Sequence, residues 1–107
     1  MEWMHYLATF AGGLLLTNGI PHFVSGTMGR PFQSPFAKPR GEGLSSSTVN
    51  VLWGFLNLAA GAALIGRSGF DPHSTGDTVV FGSAVLLLGL GTARHFGRFN
   101  GGNAPEP

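Results

Sequence analysis

Two imidazoles, two carboxamides and three guanidinium groups carry most of the chemistry this sequence offers: His22 and His95, Asn18 and Asn50, and Arg30, Arg94 and Arg98. Two imidazoles on separate segments can supply the axial ligands of a b-type haem, with nearby arginines pairing to its propionates. The same set can instead hold a quinone oxygen or an anionic lipid headgroup. A structural reading stands beside these, in which the residues anchor helix ends at an interface or hydrogen-bond between helices.

Other chemistries are excluded or weakly represented. The chain has no cysteine, which removes disulfides, thiolate metal sites and thiol catalysis together. A net charge of +1 argues against nucleic acid as a partner, and the few basic residues are interrupted by Gly, Pro and Phe. No serine nucleophile motif is present, no pair of carboxylates lies within an apolar run, and Gly89-Leu90-Gly91 lacks the rest of a phosphate-binding pattern. His73 with Asp71 and Asp77 matches no recognised ligand spacing, so no metal site is expected.

The elements that must position these groups are set by charge and hydropathy. Only 10% of the 107 residues are charged, well below the ~25% usual in soluble domains. Trp3 to Val24, Thr48 to Gly66 and Thr78 to Ala93 contain no Asp, Glu, Lys or Arg, and each run is flanked by charged or turn-forming residues. Runs near the ~20 residues needed to cross ~30 Å of hydrocarbon read as transmembrane helices, being too long and too uniformly apolar for barrel strands. The expected fold is therefore all-α: a single membrane domain over residues 1–107, with three transmembrane helices at about 3–24, 48–66 and 78–96. Met1-Glu2-Trp3 provides no basic leader and no small-residue cleavage motif follows, against a signal peptide.

Arg30, Lys38, Arg40, Arg94 and Arg98 fall on one side of such a topology and Arg67 alone on the other. The positive-inside rule then places loop 25–47 and the C-terminus in the cytoplasm and the N-terminus outside, in a bacterial inner membrane. His22, Asn50 and His95 should meet near the cytoplasmic level, with Asn18 one helical turn from His22 if Pro21 only kinks its helix. His5, beside Trp3 and Tyr6, reads as an outer interfacial anchor.

Small residues recur at helical spacing: Thr9, Gly13 and Thr17 in the first span; Gly54, Asn57 and Gly61 in the second; Gly82 and Gly89 in the third. Such rows predict close packing within the chain or between copies. Asn50, Asn57, Thr9 and Thr17 could alternatively line a small oligomeric channel or transporter. In loop 25–47, Pro-Phe occurs twice at a spacing of four, which predicts a stiff connector with Phe32 and Phe36 at the headgroups or docked on a partner. Loop 67–77 is short, predicting that the second and third helices form an antiparallel hairpin, and residues 97–107 read as a flexible tail.

Asn18-Gly19-Ile20-Pro21-His22-Phe23, Gly29-Arg30-Pro31-Phe32 and Ala93-Arg94-His95-Phe96-Gly97-Arg98 resemble segments of short bacterial multi-pass membrane proteins, a resemblance that implies membrane residence and no activity. Arg94-His95 is also similar to the Arg-His element of succinate dehydrogenase membrane anchors, which have three spans and ligate haem b through histidine. That likeness covers two residues, and the first span lacks the anchors' serine and His-Arg signature. The expectation is an accessory or structural subunit, more a non-enzyme than an enzyme, with the bilayer and other membrane subunits or copies of itself as partners. A haem b or quinone-binding redox anchor is the alternative.

Overall fold

Helix boundaries in this chain follow side chains that satisfy backbone groups the helices leave unpaired. The computed structural model describes residues 2–103, which form helix α1 (Glu2–Thr27), strands β1 (Phe32–Gln33) and β2 (Leu44–Ser45), and helices α2 (Ser47–Ser68) and α3 (Thr75–Asn100). Ser46 caps α2 by accepting from the Val49 N–H, and Ser74 caps α3 by accepting from the Asp77 N–H. α1 runs on through Pro21. It ends where Gly29 takes φ 74° and the Arg30 N–H reaches back to the Ser25 carbonyl at 3.0 Å, a left-handed turn that favours glycine.

All three helices are long and apolar enough to cross a membrane. Their arrangement differs from a simple hairpin series. α2 and α3 are joined by a short turn, yet both pack against α1 rather than extensively against each other. The expected α2–α3 hairpin therefore exists as a connection and not as the main packing interface, because α1 carries small residues on two faces.

On the first of these faces, Gly12, Gly19 and Gly26 recur every seven residues and oppose Gly61, Gly54 and Ser47 of the antiparallel α2. A Cβ placed on Gly54 would stand 2.5 Å from the Phe23 backbone N, and one on Gly19 would stand 2.8 Å from the Gly54 carbonyl oxygen. No side chain fits there. A seven-residue period keeps one stripe facing its partner through a shallow left-handed crossing, so backbone contact persists along the helices. The second face presents Gly13 to α3, where an added Cβ would lie 2.9 Å from the Cβ of fully buried Ala84.

Gly82 and Gly89 of α3 have nothing within 4 Å of an added Cβ, so these two members of the expected packing set face outward.

Two expectations about irregular segments are also revised. Loop 25–47 contains an antiparallel ribbon pairing Phe32 with Ser45 and Gln33 with Leu44. It is extended by the Ser34 N–H donating to the Gly43 carbonyl at 3.2 Å and the Gly41 N–H to the Ser34 carbonyl at 2.8 Å. At the other end of the chain α3 continues through Asn100, and Asn103 Nδ2 donates to the Arg94 carbonyl at 3.0 Å, so the first part of the expected tail is ordered. The remainder of that segment, 104–107, lies outside the described residues.

Overpacking the glycine seam should destabilise the protein. Gly54→Ala is expected to lower the unfolding free energy by about 2 kcal/mol, whereas Gly66→Ala, with open space around it, should leave it nearly unchanged. Detergent-denaturant titration followed by far-ultraviolet circular dichroism measures both, and equal effects would refute the seam.

Candidate functional site

Polar side chains gather at the two ends of the bundle, where helix termini and the ribbon leave carbonyl groups to be satisfied. At the ribbon end Asn50 is fully buried. Its amide Nδ2 donates to the carbonyls of Phe32, Ser45 and Ser46 at 3.2, 3.2 and 3.0 Å, fixing the orientation of the carboxamide. Asn50 Oδ1 must then accept, and His22 Nδ1 donates to it at 2.7 Å. His22 is therefore held as the Nδ1–H tautomer, with Nε2 carrying a lone pair and finding no hydrogen-bond partner among the described residues.

The sequence-derived cluster is only partly assembled. Asn18 turns toward α2, donating through Nδ2 to Asn57 Oδ1 at 3.1 Å, while Asn57 Nδ2 donates to the Trp53 carbonyl at 2.8 Å. His95 does not join His22. Its Nε2 donates to the Gly41 carbonyl at 2.7 Å, and Phe96 stacks edge-on with both rings, at 5.9 Å from His22 and 5.0 Å from His95. Paired axial ligation of a haem by these two histidines would require removing an aromatic ring and breaking that bond.

Arg94, Arg98 and Arg30 stay exposed at this end, keeping their guanidinium groups solvated rather than entering the cluster. Arg98 donates to His95 Nδ1 at 3.2 Å.

The two phenylalanines of the ribbon loop part company. Phe32 turns inward against Phe96 and His22, at centroid distances of 4.7 and 5.5 Å, which removes it from the expected partner-docking strip. Phe36 remains outside and meets the Trp53 ring edge-on at 5.0 Å. Gln33 Oε1 accepts from Asn100 Nδ2 at 3.1 Å, so the ribbon ties α3 to the α1–α2 pair.

Between these groups lies an open cleft of about 310 Å³, bordered by Asn18, His22, Gln33, Ser34, Trp53 and Phe96 among others. Trp53 Nε1 is buried without a hydrogen-bond partner, the only such side-chain N or O among the described residues. Neither Trp53 nor Gln33 stands out in the sequence as a site residue. A tryptophan within an apolar run reads as ordinary packing, and the ribbon that brings Gln33 inward has no strong local signature.

The opposite end carries a second polar cluster. His5 donates through Nε2 to Asp77 Oδ1 at 2.6 Å and through Nδ1 to the Ser68 carbonyl. Asp77 Oδ2 accepts from the Asp71 N–H at 2.9 Å. Both nitrogens of His5 thus face acceptors, which is satisfied by an imidazolium beside a carboxylate. His5 is an interhelical clasp and not simply an interfacial anchor. Asp77 is spoken for by it, and no group of three metal-binding side chains occurs among the described residues.

Thr9, Thr17, Asn50 and Asn57, considered above as a channel lining, are all buried between helices. Thr9 and Thr17 bond back to the His5 and Gly13 carbonyls, each at 2.8 Å, so a single chain presents no polar pore through them.

The fold and its sites define an all-helical protein with three helices of membrane-spanning length, two polar clasps and a cleft at one end. No family model, curated protein or solved structure matches the chain.

Asn50 should matter more than any exposed arginine. Asn50→Leu removes the acceptor for His22 and the donor for three carbonyls, and is expected to cost about 3 kcal/mol in unfolding free energy. Arg94→Gln should change it little, as an exposed side chain. The same denaturant titration distinguishes the two.

Proposed function

We propose that the chain is a small integral membrane accessory or structural subunit of a bacterial inner membrane, packing through α3 against copies of itself or a larger membrane complex. The observation that supports this reading is the contrast between filled and bare glycines. Glycines at seven-residue spacing on α1 and α2 are filled by a neighbouring helix, whereas Gly82 and Gly89, at the same spacing on α3, have none. α3 is also the least covered helix, with 11% of its apolar window buried against 33% for α1. Exposed Leu86, Leu87 and Leu90 are ordinary for a lipid-facing surface, but a bare glycine groove loses packing there that another helix supplies.

Charge supports an orientation with the ribbon end in the cytoplasm. The Gly41–His95 and Gln33–Asn100 bonds bring the first loop and the end of α3 to the same end of the bundle. Arg30, Lys38, Arg40, Arg94 and Arg98 are thereby collected on one side, leaving Arg67 at the other. That asymmetry is the one that sets cytoplasmic sidedness.

Two measurements test the proposal. Native mass spectrometry after mild extraction is expected to find an assembly larger than the 11.2 kDa chain. Gly89→Leu should dissociate it on the order of tenfold more readily without lowering the stability of the single chain. A monodisperse monomer with no companion protein would count decisively against an accessory role. For orientation, a green fluorescent reporter fused at the C-terminus should fluoresce and an alkaline phosphatase fusion at the same point should be inactive. The reverse pattern would invert the topology.

A further inference from the structure

We propose that the cleft between His22 and Trp53 binds the head of a lipid-soluble quinone or quinol, with its hydrocarbon tail lying in the adjoining groove of α2. The geometry that points to this is an unmet pair of hydrogen-bonding groups on two residues that border one cleft, whose other polar side chains, Asn18, Gln33 and Ser34, are already bonded within the protein. Trp53 Nε1–H is a buried donor with no partner, and burying such a group unpaired is costly. His22, locked by Asn50 with its proton on Nδ1, leaves Nε2 as an acceptor with no partner among the described residues. Both side chains border the same cleft.

A ligand that answers both must carry an acceptor oxygen for Trp53. A hydroxyl for His22 completes the match in its reduced form. Its charge is limited as well. No Lys, Arg, Asp or Glu borders the cleft, and the arginines at this end lie outside it, so a neutral head fits better than a phosphate. The Trp53 and Phe96 rings and Pro35 among its walls favour a flat ring.

Trp53 also borders a second groove, of about 360 Å³, lined by Phe36, Val49, Leu52 and Leu56. That lining is almost wholly apolar, and Phe36 forms part of its wall, edge-on to Trp53 at 5.0 Å. One indole therefore separates a polar cleft from an apolar groove, the layout an amphiphile with a ring head and an isoprenoid tail requires. Asn50 acts as a positioning residue, since it sets which nitrogen of His22 is free. The inference relies on the membrane reading only for access of the tail from lipid and is independent of what α3 contacts. The C-terminal reporters test the membrane reading separately.

The test uses the full chain in nanodiscs and a benzoquinone bearing a single isoprenoid unit. The protein has two tryptophans, so Trp3→Phe leaves Trp53 as the only indole emitter. Saturable quenching of that emission by the quinone is expected, against only gradual, non-saturating quenching of Trp3 in the Trp53→Phe protein. Equilibrium dialysis should show Trp53→Phe binding the quinone on the order of tenfold more weakly, as for loss of one buried hydrogen bond. Because Trp53 Nε1 has no partner to lose, the thermal midpoint of that variant should be unchanged or higher. Absence of saturable binding, or binding that Trp53→Phe leaves intact, would overturn the proposal. So would displacement of the quinone by dioleoylglycerol at lower concentration, since that would assign the cleft to a neutral glycerolipid.

Discussion

The close approach of the α1 and α2 backbones is the constraint on which the rest of the structure depends. Where Gly54 meets Phe23 and Gly19 meets Gly54, main chain rests on main chain. For helices placed in lipid there would be little hydrophobic gain from burying one apolar side chain against another, and the attraction would come from many short-range contacts. A glycine seam supplies them, and it brings the polar groups of both helices within hydrogen-bonding reach. Asn18 meets Asn57 and His22 meets Asn50 because no larger side chains hold the helices apart.

Polar clasps close the seam at both ends. The His5–Asp77 pair joins the starts of α1 and α3, with the Ser68 carbonyl adding the end of α2. At the ribbon end, Asn50 gathers three carbonyls while Gln33 and His95 connect the loop to α3. Each clasp satisfies backbone or side-chain groups that neither lipid nor an apolar core could satisfy. The partial exception is the buried indole N–H of Trp53, a residue whose side chain borders the cleft.

Helix number and approximate span were legible in the sequence because charge-free length is a one-dimensional property. The pairing of His22 with Asn50 was legible for a related reason: matched depth on two helices can be counted from rise per residue. The seven-residue recurrence of Gly12, Gly19 and Gly26 is also present in the sequence, where the four-residue spacing of Thr9, Gly13 and Thr17 competes with it. Depth does not specify azimuth, which is what separates His95 from His22. His95 reaches the right level yet points to Gly41, with Phe96 between it and His22. The inward turn of Phe32 depends on a two-residue ribbon, and the His5–Asp77 pair on the relative placement of α1 and α3, neither of which has a local signal.

The continuous seam and its clasps also bear on how the molecule would meet membranes of different thickness. A 26-residue helix is ~39 Å long, more than the ~30 Å of hydrocarbon it would cross. Independent helices relieve such mismatch by tilting separately. Here α1 and α2 are in backbone contact over successive turns and α3 is fastened to them at both ends, so individual tilt would break the fastenings. Mismatch would instead be taken up by inclination of the whole bundle or by deformation of the surrounding lipid, making the protein a rigid gauge of bilayer thickness.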